Sequence, residues 1–417
     1  MDFFSSRANS FLLELTRSRT FLQRLSMSRV IVEVGGFNSI LKRLNSCYRT
    51  FEYVKIYDPP RWRGTVTCNR MKQQLRNLVD RKVLLERMQT DEERRTTVSF
   101  YRYAHILNPA FFRDYLFSHW DEFGVMGRTY VAHEGINAQI SVPTDRLEDF
   151  KSHLYSISFL DGIRLNYTVD EGKSFFKLTI KVRDKIVADG LNDEAFDVCE
   201  TGVHLDAVSF NEITAKDDTI LIDMRNHYES EVGHFKGAIT PDVDTFREEI
   251  ELVEDMLQGK EEQNIVMYCT GGIRCEKASA WLKHKGFPNV HQLNGGIIEY
   301  TRQVREQGLE NRFIGKNFVF DERLAERISD DVIAQCHQCG ASCDDHTNCS
   351  NVGCNLLFIQ CPSCAEKYEG TCGERCQEII HLPEDQQREL RKGKKDSAHI
   401  FNKGRLRAGG RSGCSGA

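Results

Sequence analysis

The stretch Asn264-Ile-Val-Met-Tyr-Cys-Thr-Gly-Gly-Ile-Arg-Cys-Glu-Lys-Ala278 constrains the fold more than any other. Its first five residues read as a fully buried strand, and Thr219-Ile-Leu-Ile-Asp223 upstream reads the same way. Each is followed by a loop and a helical stretch, the alternation that builds a doubly wound parallel sheet. Functional loops in such sheets gather at the carboxyl ends of strands. Cys269 stands directly after one of them.

A cysteine attacks as its thiolate, so a nucleophilic role requires a lowered pKa. The start of a helix near Cys275 and the guanidinium of Arg274 both favour the anion. Gly271 and Gly272 can turn successive N–H groups toward the sulfur and make an anion-binding nest. Arg274 keeps its proton, and its planar fork suits an anionic substituent. Cys269 is therefore the candidate nucleophile, with Gly271, Gly272, Ile273 and Arg274 as its supporting loop.

Upstream, Val98–Tyr103 reads as a strand, and Asn108–Trp120 as a helix opened by Asn108-Pro109. Strands are expected over 128–132 and 137–142, joined by the turn His133-Glu134-Gly135. The spacing of Leu147, Phe150 and Leu154 predicts a helix over 146–154, and strands over 163–169 and 175–182 close the unit. The order β-α-β-β-α-β is that of a ferredoxin-like fold. His133 and Glu134 are either members of a structural turn or substrate-facing groups.

Nine of the 15 cysteines fall between Cys336 and Cys376. Clustering in pairs points to metal or redox chemistry in a reducing, cytoplasmic compartment and not to a disulfide framework. Cys336-x-x-Cys339 and Cys361-x-x-Cys364 are knuckles at structural-zinc spacing. Cys343, Cys349, Cys354, Cys372 and Cys376 remain, enough for a second site, and His337 and His346 could also ligate. The other reading is a set of buried or redox-active thiols.

Charge is uneven. Residues 1–70 carry +7 and residues 388–417 another +7, leaving −19 for the middle of a chain whose net charge is −5. A polyanionic partner would be gripped by local patches or tails. The tail from Arg388 reads as a solvated, disordered end or as a phosphate contact. No run of about 18 apolar residues is present, so no membrane span is expected. No secretory signal is evident at the N-terminus. Arg7, Arg17, Arg19, Arg24 and Arg29 among Phe and Leu suggest a transit-like helix, the alternative being that translation begins at Met71. No flavin or nicotinamide fingerprint follows a strand, and no two-His-one-carboxylate iron site is evident.

The chain thus reads as a multidomain α/β and α+β protein: an extension over residues 1–93, a ferredoxin-like domain over 94–197, a doubly wound domain over 215–309, a cysteine-rich domain over 320–382 and a basic tail over 383–417.

The doubly wound part resembles the rhodanese family. Leu221-Ile-Asp-Met-Arg225, Glu229 and Gly233-His-Phe-Lys-Gly-Ala238 look like that family's first half, and Gln292-Leu-Asn-Gly-Gly296 like its closing strand and turn. Four residues separate Cys269 from Arg274, the loop size of sulfurtransferases; phosphatase relatives have one more. Asp223 and Arg225 are expected to form a structural ion pair. More narrowly, Met267–Ala278, Ala132-His-Glu-Gly-Ile-Asn137 and Cys336-His-Gln-Cys-Gly resemble the bacterial tRNA wobble-uridine hydroxylase family, over roughly Arg94 to Arg407. That resemblance implies oxygen addition to C5 of the wobble uridine of tRNA, with molecular oxygen as co-substrate and a cysteine matching Cys269. It does not itself guarantee a metal, so structural zinc rests on the cysteine spacing, and residues 1–70 have no counterpart in it. A sulfurtransferase carrying a persulfide on Cys269 is the alternative, and a non-catalytic rhodanese module binding RNA or protein is a third. Cys275 is either packing or a reductant of oxidised Cys269.

Overall fold

The computed structural model describes residues 75, 79, 81–169, 172–192, 194–392, 403 and 404, all within one compact unit. The expectations for residues 1–70 lie outside the described residues. Among those described, no helix is long and apolar enough to cross a membrane.

After helix α1 (Arg81–Thr90), an antiparallel core of three strands forms from β1 (Arg95–Tyr103), β2 (Met126–Ala132) and β3 (Gly135–Pro143). Helix α2 (Pro109–Glu122) starts where expected because the Asn108 side chain accepts from the Phe111 N–H and Pro109 occupies the first turn. Its stripe Phe112, Leu116 and Trp120 packs on one face of the sheet, with Phe150 and Leu154 of α3 (Leu147–Tyr155). The closing strands are shorter than expected. β4 (Asn166–Tyr167) joins the β1 edge and β5 (Leu178–Val182) runs parallel to β2, giving the order β4-β1-β3-β2-β5. The helices of this domain, α2 and α3, cover one face of the sheet. Its other face presents Ser99, Tyr101, Gln139, Arg128 and Tyr130 to the rest of the chain.

The parallel sheet has the order β6-β10-β9-β7, from β6 (Val203–Leu205), β7 (Thr219–Asp223), β9 (Asn264–Tyr268) and β10 (Val290–Leu293). Its edge strand β6 lies upstream of residue 215, in a short stretch with no apolar run to signal it. Side chains alternate across β9. Ile265 and Met267 face helices α6 (Phe246–Leu257) and α7 (Ile273–His284), whereas Val266 and Tyr268 face α4 (Ala207–Ile213) and α8 (Gly296–Gln307). Both faces are covered, which explains the continuous apolar runs in the sequence. The expected pair is present: Arg225, fully buried, donates to both oxygens of Asp223 at 2.8 and 2.6 Å.

β8 (Gly233–Phe235), β11 (Phe313–Phe318) and β12 (Ala325–Arg327) lead into the cysteine-rich block, where β13 (His346–Asn348) pairs with β14 (Leu357–Ile359). Of the tail expected to be disordered, only residues 388–392, 403 and 404 are among those described, and the rest lies outside them. Residues Glu384–Arg391 form a helix whose first turn is acidic and last turn basic, complementing the helix dipole. Farther on, Lys403 bridges to Leu357, and the Gly404 N–H donates to the Leu357 carbonyl at 2.7 Å.

Candidate active site

Cys269 ends β9, and the loop after it turns at once into α7. Gly272 makes this turn with φ +99°, a left-handed conformation that side chains disfavour, and a Cβ there would lie 2.8 Å from the Tyr101 hydroxyl. The Gly272 N–H donates to the Cys269 sulfur at 3.1 Å, as a nest requires. Burial pushes the Cys269 thiol up, but a hydrogen bond from Cys275, the charge of Arg274 and the backbone N–H groups of 274 and 275 outweigh it and bring it to about 6. Cys275 is held in the opposite state: burial and the neighbouring sulfur push its thiol well up, so it acts as the donor of the pair.

Arg274 has a different partner from the one expected. Its two Nη atoms donate to the two oxygens of Glu229, each at 2.7 Å, in a buried bidentate pair. The fork is therefore satisfied within the protein, and Arg274 acts on the sulfur through its charge. Glu229 is fixed in turn by a capping box with Asn226 at the start of α5 (His227–Ser230). Nearby Glu249 is buried with no hydrogen-bond partner for either oxygen, and burial raises it well above the usual carboxylate range. Glu229→Gln is expected to destabilise the protein by about 3–5 kcal/mol, the cost of stranding a buried guanidinium. Denaturant unfolding checks this, and a change below about 1 kcal/mol would show that solvent reaches the pair.

The open face of the N-terminal sheet is laid against this loop. The Tyr101 hydroxyl donates to Glu276 at 2.8 Å, Asn166 donates to the Gly271 carbonyl at 3.4 Å, and Arg164 donates to Asn294 at 2.7 Å. Between sheet and loop lies a cavity of about 540 Å³ with Cys269 in its lining. Tyr101, Tyr130, Tyr228 and Phe320 supply aromatic surface to it, and Arg128 and Lys403 supply positive charge, whereas Arg323 is paired with Asp321 and Glu326 at 2.6 and 2.8 Å. Lys403 lies 5.0 Å from the Tyr228 ring centroid. These wall residues are not identifiable from local spacing, because they come from segments far apart in the chain: β1, β2, the start of α5, the connection between β11 and β12, and Lys403 near the end.

Glu134 and His133 are turned to structural contacts. Glu134 accepts from the Ile186 N–H and binds Lys277, each at 2.6 Å, and Lys277, 1% exposed, also meets Asp189 at 3.0 Å. This buried cluster ties the N-terminal sheet to α7. The His133 ring Nδ1 is 2.9 Å from the Ile106 carbonyl, and neither residue lines the cavity beside Cys269.

The cysteine-rich block forms two four-sulfur groups. Cys336, Cys339, Cys361 and Cys364 come together as their spacing predicts, and Cys349, Cys354, Cys372 and Cys376 make a second set. The pairs alternate along the chain, so the two sets interlock. Sulfur separations of 3.6 Å for Cys339–Cys361 and 3.7 Å for Cys354–Cys372 are far beyond a disulfide and match the edge of a metal–thiolate tetrahedron. Either group could hold a metal. Cys343 belongs to neither set. The histidines do not join them: His337 Nε2 pairs with Glu231 at 2.8 Å, and burial keeps His346 neutral, its imidazole down to about 4.

Three family descriptions match in chain order: a UPF0176 acylphosphatase like domain over residues 95–186, a rhodanese-like domain over 206–303 and a rhodanase C-terminal domain over 314–377. The tRNA uridine(34) hydroxylase of Photorhabdus laumondii is 58% identical over 335 residues, covering 80% of this chain and 95% of that protein. The tRNA uridine(34) hydroxylase of Leptospira interrogans is 52% identical over 337 residues, covering 81% and 92%. That of Salmonella arizonae is 56% identical over 335 residues, covering 80% and 96%. Identity at this level across nearly the full length of these relatives means that the chain belongs to the tRNA uridine(34) hydroxylase family.

Proposed function

We propose that this protein hydroxylates C5 of the wobble uridine of tRNA, with Cys269 as the nucleophile. The observation that carries the reading is a thiol brought to about 6 in the lining of a cavity walled by aromatic rings and cations. The cavity volume of about 540 Å³ suits a nucleotide-sized ligand. Tyrosine and phenylalanine faces stack bases, and arginine and lysine take phosphate.

Uracil C5 is a poor nucleophile until something adds at C6. Attack by the Cys269 sulfur forms an S–C6 bond and moves the ring double-bond electrons toward the C4 carbonyl, leaving C5 as the nucleophilic end of an enolate. After C5 gains oxygen, loss of the C5 proton and expulsion of the thiolate restore the double bond. With molecular oxygen as oxidant, one oxygen atom enters the base and the other leaves as water, which consumes two electrons and two protons from an external reductant. Cys269 is regenerated. Arg274 and the nest stabilise the sulfur anion at the start and at the end of this cycle. A tRNA substrate also accords with a cytoplasmic location.

The decisive measurement is mass spectrometry of tRNA from a deletion strain with and without this gene. Restoration of 5-hydroxyuridine at the wobble position supports hydroxylation. Restoration of 2-thiouridine instead would make the protein a sulfurtransferase that carries persulfide on Cys269.

Both four-cysteine groups suit structural zinc. Thiolate donors, four to a site, all within 4.8 Å of one another and with pairs at 3.6 and 3.7 Å, fit zinc's tetrahedral preference. All four positions of each site are filled by protein, which leaves no open position for substrate and assigns zinc a role in folding.

A further inference from the structure

We infer that the β5 edge of the N-terminal sheet is the surface that grips the phosphodiester backbone of the RNA and leads it into the Cys269 cavity; this rests on the tRNA reading above. The sequence Lys177-Leu-Thr-Ile-Lys-Val-Arg183 alternates with a period of two. Leu178 and Ile180 are buried against the helices, so Lys177, Thr179, Lys181 and Arg183 share the opposite face. The parallel register sets Arg128 beside Thr179 and Tyr130 beside Lys181. Arg128 thus stands among the cations of β5, and at about 3.3 Å per residue these span roughly 20 Å.

None of the four cations has a carboxylate ion-pair partner among the described residues, whereas Lys185, Lys277, Lys316 and Arg323 each do. The Lys181 ammonium is held below its ordinary range by partial burial and then by Arg183, Arg128 and Lys177. Such mutual repulsion is relieved by a polyanion. The patch is also continuous with the cavity. Arg128 and Tyr130 line it beside Cys269, and the Arg183 guanidinium lies 5.6 Å from the Tyr130 ring centroid. A base stacked in the cavity would leave its flanking phosphates on this stripe. Lysines on an edge strand also deter strand-to-strand association. That role alone would require neither Arg128 on the neighbouring strand nor continuity with the cavity.

The test is salt-dependent binding of full-length tRNA to the full chain by fluorescence anisotropy. It compares the parent protein, a Lys177→Gln, Lys181→Gln, Arg183→Gln triple variant and a control triple, Lys216→Gln, Lys236→Gln, Lys260→Gln. The control removes equal charge from exposed positions elsewhere. Each lost phosphate contact reduces the slope of log affinity against log salt by about 0.7–0.9, so the β5 triple should flatten it by about 2–3. Affinity at low salt should fall more than tenfold, and the control should change far less. Equal behaviour of the β5 triple and the parent, or of the two triples, overturns the assignment of this surface while leaving a tRNA substrate in place. Failure of the parent protein itself to bind tRNA overturns the tRNA reading and this surface together.

Discussion

Cys269→Ser is expected to abolish wobble-uridine hydroxylation, by about ten-thousandfold or more, while leaving the fold and tRNA affinity nearly intact. Serine fits the same fully buried space, but its hydroxyl does not ionise near neutral pH, so no anion forms to add at uracil C6. The fold should tolerate the change because Arg274 keeps its bidentate partner Glu229. The pH dependence has a definite sign. With a thiol at about 6, the thiolate fraction and the rate rise with pH through that value and level off toward neutrality. Arg274→Ala removes a stabilising charge, so the inflection should move to higher pH; Glu229→Gln alongside it avoids stranding a buried carboxylate. Cys275→Ser should have a smaller effect, since serine can still donate to the sulfur. The readout is the 5-hydroxyuridine content of tRNA from complemented cells and, for the purified variants, ultraviolet thiolate absorbance against pH. Full modification by Cys269→Ser would refute nucleophilic catalysis and leave the loop as an anion-binding nest.

The parts of this centre that could be read from the sequence are those whose cause is local. β7 and β9 occupy the expected residues, because strands buried on both faces produce unbroken apolar runs bounded by turns. Helix α2 was legible through its cap and proline, and the Cys269 loop through its glycines. The cavity walls were not legible. Tyr101 meets Glu276 across 175 positions of sequence, and alternation along β1 reveals two faces without saying what covers the second. Arg274 was readable as a cation, but its partner Glu229 lies 45 residues away on another element. Lys403 could not be separated from the surrounding run of Lys, Arg and Gly, and its seat beside Tyr228 depends on pairing with β14. The second cysteine set lacks the Cys-x-x-Cys knuckle. Its pairs are spaced by four and three residues, and only the interlocking of the chain brings them together.

That interlocking sets the expected result of removing metal. Purified full-length protein should contain two zinc ions per chain, and Cys336→Ser or Cys372→Ser should each lose one. Binding free energy on the order of 10 kcal/mol per structural zinc is comparable with the whole stability of a domain. The apolar groups in this region are small and made largely of the cysteines themselves, with Val232, Ala334, Phe358 and Ile359. They cannot replace the metal. Chelation should therefore unfold the block while the parallel sheet, with its own core on both faces, persists. Hydrogen exchange would show this as lost protection over 346–348 and 357–359 with protection retained in β7 and β9. The damage should also reach the active site. Lys403 is seated through Leu357 of β14, so loss of the block removes one cationic wall of the cavity without touching Cys269. Hydroxylation should fall on chelation while the thiolate absorbance of Cys269 keeps its inflection near 6. A metal-free chain with unchanged protection at β13 and β14 would show that the thiols serve another purpose.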